Sequence, residues 1–302
     1  MASVLDAAHF HDETAAYEHV EALLWPTGPV CPHCGNCAAD KIGRLNGKTS
    51  RPGLRKCYEC LKTFTVKMGS IFEDSHAPLH LWLQAIHLMC SSKKGISTRQ
   101  LQRTLGVGMK TAWFMGHRIR FAMAPAKDAG QIGGPGKSVE ADETYLSKSP
   151  KTRKPAGTPL NAKPAPMVFA LVERGGNVRS MYLDEKNVRR ALFENLHEDS
   201  RLLTDGSQAY RFQVRKHESV DHSKYEWARG DVHTNTLENF FSVFKRGLVG
   251  TYQHMDKAHL DRYLAEFDFR FNTRAKLGVN DTQRAAKAVQ GFKGKRLTYA
   301  AC

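Results

Sequence analysis

Two C-x2-C pairs, Cys31/Cys34 and Cys57/Cys60, and three widely separated acids, Asp142, Asp205 and Glu238, are the residues whose types and spacing suit chemistry in this chain. Each C-x2-C knuckle turns its backbone so that two thiolates point at one ion. A pair of knuckles therefore offers zinc the four soft ligands of a tetrahedral site. Such a site has no open position, so it stabilises a fold and does not catalyse. Cys37 and His33 lie close enough in sequence to stand as alternative ligands. The acids differ in kind. Asp142 lies in the apolar segment SVEADETYL, Asp205 directly follows RLLT, and Glu238 lies in NTLENFFSVFKRG. Carboxylates buried at strand ends are costly unless paired or metal-bound. Each also has an ordinary reading: Asp142 competes with Glu140 and Glu143, Asp205 before Gly206 suits a turn, and Glu238 can close a capping box with Asn235.

The elements that would position these residues follow from periodicity and breakers. Residues 10–25 read as an amphipathic helix ending before Pro26, and a cysteine-rich stretch of turns and short strands follows to about Phe72. Residues from Pro78 to about Met123 are helical by apolar spacing. Within them, GISTRQLQRTLGVGMKTAWFMGHRIR predicts a helix capped by Ser97 or Thr98 and running through Leu105, a turn at Gly106, Val107 and Gly108, and a second helix from about Lys110 to Phe121. This resembles a helix-turn-helix whose second helix, bearing Lys110, His117, Arg118 and Arg120, enters a major groove. A plain helical hairpin is the alternative. AKDAGQIGGPGK reads as a linker, and the basic, proline-rich run SKSPKTRKPAGTPLNAKPAP as a mobile loop. MVFALVERGGNVRSMYL predicts a hairpin turning at Gly175, Gly176 and Asn177. A helix over Asn187–His197, a strand over Arg201–Thr204 and helices from Asn235 to about Asn272 follow. The order argues for a mixed α/β layer structure. On the helix holding Glu238, Asn235, Ser242 and Lys245 fall near one stripe, while Leu237, Phe240, Phe241, Phe244 and Leu248 would pack on a sheet. The domain division is thus 1–77 for an N-terminal helix and ribbon, 78–125 for the helical module, 126–137 for a linker and 138–302 for an α/β domain with a basic tail.

Charge bounds the partner. Lysine and arginine number 45 against 30 acids, giving +15, and the excess is spread along the chain. That favours a polyanion bound in a salt-dependent way. No run of 18 apolar residues offers a membrane span, and the N-terminus lacks the basic start and apolar core of a signal peptide. A cytoplasmic location is expected. Five of the seven cysteines fall between Cys31 and Cys60, which suits a metal cluster in a reducing compartment better than disulfides.

Taken together, CPHC…CYEC, VEADETY, LLTDGSQAY and HTNTLENFFSVFKRGLVGTYQH resemble the zinc-ribbon DDE transposases of insertion sequences, the ISXO-like group. The resemblance runs from about residue 15 to about 285. It implies an RNase H-like core with acids on the first strand, after the fourth strand and on a later helix. By that resemblance Asp142 is the first metal-binding carboxylate, Asp205 the second and Glu238 the third, holding Mg2+ or Mn2+, with structural Zn2+ in the ribbon. Some relatives carry asparagine as the third polar group, so Asn235 stands as the alternative to Glu238; a carboxylate holds magnesium better than an amide. Lys245, with Arg246 beside it, stands where such transposases keep a basic residue for DNA. The partners implied are terminal inverted repeats, target DNA and further copies of the chain on DNA. A nuclease of the same fold without strand transfer and a non-catalytic DNA-binding regulator are the competing readings, and the acid triad separates the regulator from the enzymes.

Overall fold

A computed structural model describes residues 3–126, 129–146, 166–183, 187–206, 210 and 216–297. The basic run expected as a loop, 147–166, lies outside these except for Pro166. The chain divides into two compact units, one of Met1–Ala124 with Thr273–Cys302 and one of Pro125–Asn272.

In the first unit, Asp12 caps α1 (Glu13–Leu24) by accepting from Ala15 N at 2.7 Å, and Ala16, Tyr17, Val20 and Leu24 form its buried face. Strands β1 (Ile42–Arg44), β2 (Arg55–Cys57) and β3 (Thr63–Phe64) make a small antiparallel sheet over a core of Cys31, Ile42, Cys57 and Phe64. Three helices follow, α2 (Leu79–Ser91), α3 (Thr98–Leu105) and α4 (Met109–Met123). Ser97 is the cap of α3, and Gly106 ends it at φ 65°, a left-handed conformation that glycine adopts without penalty.

The domain division expected from sequence is corrected here. Ribbon and helical module fall in one unit, and the segment from Thr273 onward, assigned above to the α/β domain, belongs with them. The reason is an apolar surface on α8 (Asp281–Gln290) and the turn after it: Ala288, Val289 and Phe292 are buried, with Phe292 against Phe72 at 5.4 Å. Arg284 adds a bond from its guanidinium to Cys90 O at 2.9 Å.

The second unit is built on a five-stranded sheet ordered β6-β5-β4-β7-β8. Its strands are β4 (Ser138–Tyr145), β5 (Met167–Glu173), β6 (Val178–Leu183), β7 (Arg201–Asp205) and β8 (His217–Val220). β4, β7 and β8 run parallel, and β5 is antiparallel to both its neighbours. α5 (Val188–Asn195) covers the face carrying Met167, Phe169 and Leu171. α6 (Asn235–Gly247) and α7 (Leu260–Asn272) cover the face carrying Val168, Ala170 and Val172. β5 is therefore buried on both faces, as its unbroken apolar run requires. The expected linker is packed where it can be followed: Ile132 is buried, donates to Asn195 O at 2.8 Å and accepts from His197 N at 2.9 Å. Among the described residues no helix is long and apolar enough to cross a membrane.

Candidate active site

Asp142 and Asp205 sit level on neighbouring parallel strands. Ser138 on β4 lies opposite Arg201 on β7, and the same offset relates Asp142 to Asp205. Alternation turns Asp142 to the side of Glu140, whose carboxylate reaches α6, so Asp142 looks toward that helix as well. On α6, Leu237, Phe240, Phe241 and Phe244 are buried against the sheet, while Asn235, Glu238, Ser242 and Lys245 form an exposed stripe. Arg246 is also exposed at the end of the helix.

What anchors the start of α6 is Glu140, considered above only as a competitor of Asp142. Thr234 precedes the helix without a side-chain cap, and the fully buried Glu140 carboxylate accepts from Leu237 N at 3.0 Å and Thr236 Oγ1 at 2.9 Å. Arg174 Nε donates to the same carboxylate at 2.9 Å. An anion at a helix N-terminus is favoured by the open amides and the helix dipole. Glu238 itself accepts from Thr234 Oγ1 at 3.0 Å, not from Asn235, so no capping box forms between those two. His222 Nε2 lies 3.7 Å from Glu238 Oε1.

The electrostatics record how close the acids are. Burial first, then the charges of Asp205, Glu143 and Glu238, push the Asp142 carboxyl up to about 7. Glu143 is raised as well, chiefly by burial, and accepts a hydrogen bond from the buried Tyr210 hydroxyl. Alternation turns Glu143 to the opposite face from Asp142, so the sheet separates the pair. The acids do not close into a cage: among the described residues, the four cysteines are the only group of three or more possible ligands with all ligand atoms within 4.8 Å. Like charges hold apart until a cation compensates them. Oxygen donors of this kind suit Mg2+ or Mn2+.

At the other centre, Cys31 Sγ lies 3.7 Å from Cys60 Sγ and Cys34 Sγ 3.7 Å from Cys57 Sγ. Four sulfurs at about 2.3 Å from one zinc ion would stand about 3.8 Å apart, so the thiols already have the spacing of a tetrahedral site. Backbone amides of Cys60 and Glu59 directed at Cys57 bring its thiol down to about 6, while, against the backbone amide of Asn36, desolvation and the neighbouring thiols push Cys34 up to about 12. Cys37 stays outside the group, and His33 Nε2 lies 3.3 Å from Thr63 O.

The expected DNA face of α4 is corrected. Lys110 is exposed, but His117, Arg118 and Arg120 are 1%, 5% and 1% exposed. Arg118 spends its guanidinium on Ile71 O, Glu73 O and Leu297 O. The basic character of α4 was legible; that Arg118 points into the unit was not, because its partner Leu297 is remote in sequence. Glu140 and His222 were missed as well. Glu140 sits two residues before Asp142 on the same strand face, and that proximity was the available signal.

Comparison with known proteins finds matches to both segments of the chain. Residues 132–272 match the ISXO2-like transposase domain, and residues 11–63 match the transposase zinc-ribbon domain. Over 281 residues the chain is 28% identical to an uncharacterized protein in transposable element ISH50 of Halobacterium salinarum, covering 86% of this chain and 91% of that protein. No solved structure matches the chain.

Proposed function

The chain belongs to the zinc-ribbon transposases of insertion sequences, and from that premise we propose that it cuts DNA at the ends of its own element and joins those ends to target DNA. The single observation carrying this reading is the level placement of Asp142 and Asp205 on neighbouring parallel strands, Asp205 ending β7 and Asp142 two residues beyond the last pair that β4 makes with β7, on the sheet face from which Glu140 anchors the helix of Glu238. In this reading the second unit is an RNase H-like core, supported by its mixed sheet order with parallel β4, β7 and β8.

Asp142, Asp205 and Glu238 would hold Mg2+ or Mn2+, with Asn235 one turn away as the alternative to Glu238. Divalent cations bound there supply Lewis-acid activation of the attacking oxygen and neutralise charge at the leaving one. The rest is positioning by the chain. Lys245, two turns along the exposed stripe from Glu238, holds the DNA backbone, with Arg246 beside it. Glu140 fixes the start of α6 and so the place of Glu238. Cys31, Cys34, Cys57 and Cys60 hold structural zinc in the ribbon. The chain works on the terminal inverted repeats in the cytoplasm, as a homo-oligomer on DNA.

The test is to incubate the purified chain with a duplex carrying the terminal inverted repeat and a second, unrelated duplex, with and without Mg2+. Cleavage at the repeat end followed by covalent joining to the second duplex, only with the metal, is the expected result. Cleavage without joining would point to a nuclease. Binding without either would point to a regulator.

A further inference from the structure

α4 is buried or half-buried from Ala112 through Met123, so only its first turn, with Lys110 and Thr111, faces solvent. The helix before it is the reverse. On α3, Leu101 and Leu105 are buried, while Arg99, Gln100, Arg103 and Thr104 share an exposed face. Lys93 and Lys94, in the turn leading into α3, are exposed too.

Two features set this face apart from an ordinary solvated helix. From residue 75 to residue 127 the chain has no Asp or Glu, so nothing local offsets these bases. Among the described residues, none of Lys93, Lys94, Arg99, Arg103 and Lys110 makes an ion pair. Elsewhere in the same unit exposed and half-exposed arginines are paired, Arg44 with Glu18 and Arg296 with Asp74. A face kept only for solubility interleaves the two signs; this one is uniformly positive.

We infer that α3, not α4, is the helix that enters the DNA major groove, with Arg99, Gln100 and Arg103 at the base edges and Lys93 and Lys94 on the phosphates. An eight-residue helix is about 12 Å long, comparable with the roughly 12 Å width of that groove. Arginine and glutamine are side chains that form paired hydrogen bonds to guanine and adenine edges. Lysine reaches phosphate as a point charge and carries no sequence information. This inference rests on the transposase reading for the identity of the DNA.

Fluorescence anisotropy with the full chain, in the absence of divalent metal, tests it on two duplexes, one with the terminal inverted repeat and one of unrelated sequence. Arg99→Ala combined with Gln100→Ala and Arg103→Ala should lower affinity for the repeat at least about 10-fold and abolish its preference over the unrelated duplex. Arg99→Lys with Arg103→Lys should lose the preference but keep the salt dependence, since charge is retained. Lys93→Ala with Lys94→Ala should weaken both duplexes alike and reduce the log–log salt slope by about 2. A parental chain that prefers the repeat while the α3 variants keep that preference overturns this inference alone. A parental chain with no preference overturns it together with the transposase reading.

Discussion

Arg118 and Glu140 are charged side chains almost removed from water, and each is tolerated because its polar atoms find partners, Arg118 also stacking its guanidinium over the Phe114 ring at 4.4 Å. Arg118 donates to carbonyls from the turn after the ribbon and from the chain's C-terminal segment, so its job is to clasp backbone that lacks other donors. Glu140 pairs with Arg174 and caps α6. Removing the charge of a buried pair leaves the partner uncompensated, which typically costs about 3–5 kcal/mol. Glu140→Gln is therefore expected to lower the stability of the second unit by roughly that amount in urea unfolding, and to weaken catalysis through a misplaced Glu238 even where the fold survives. An unchanged unfolding midpoint would remove Glu140 from that role.

Among elements, six helix starts fall into two kinds. Ser97, Asp12, Asn187 and Asn280 cap their own helices from the next residue, and such caps are legible in sequence. α2 and α6 lack a local cap. Glu13 caps α2 from 66 residues away and Glu140 caps α6 from 97 residues away, and no window along the chain reveals such partners. The same holds for the outer strand of the sheet. Asn272, Asp268 and Asp261, all on α7, accept from Val178 N, Ser180 N and Tyr182 N, covering the unpaired edge of β6 with side chains. The hairpin, α5, β7 and the two faces of α6 follow from periodicity alone; β8, with only four residues, HESV, carries no apolar alternation to reveal it.

Asp268 gives this edge a pH dependence. Burial raises its carboxyl to about 7, against the opposing effects of two hydrogen bonds from Ser180 and the charge of Arg179. A carboxyl with a raised folded pKa contributes stability that is full below its unfolded value of 3.8 and is lost as pH rises through about 7. Asp268→Asn should shrink the drop in stability between pH 5 and pH 8 by about 1–3 kcal/mol, read by urea unfolding at both pH values. Asp142, raised in the same direction, leaves a residual slope. A variant with the parental slope would show that Asp268 ionises normally.

At the scale of the whole molecule, the chain's last helix completes the first unit and not the second. α8, Arg284 and Phe292 lie against α2 and the segment around Phe72, and Lys295 Nζ reaches Ala122 O at 2.8 Å. Ending the chain after Asn272 should expose that surface: hydrogen exchange is expected to lose protection in α2 and α4 while β4 and β5 keep theirs. Protection lost instead from the sheet would return the C-terminal segment to the α/β domain, where sequence alone had put it.

In the proposed function Asp142 and Asp205, with a third ligand on α6, form one metal-dependent centre for DNA cleavage. The most direct measurement is single-turnover cleavage of a terminal-repeat duplex in Mg2+ by Asp142→Asn, Asp205→Asn, Glu238→Gln and Asn235→Ala, with binding of the same duplex measured alongside. The two aspartate variants and Glu238→Gln should each lose cleavage by at least about 10^3-fold while binding stays within a few-fold of the parent. Loss in Asn235→Ala with cleavage retained in Glu238→Gln would move the third ligand to Asn235. Normal cleavage by both aspartate variants would rule out a metal centre built on Asp142 and Asp205.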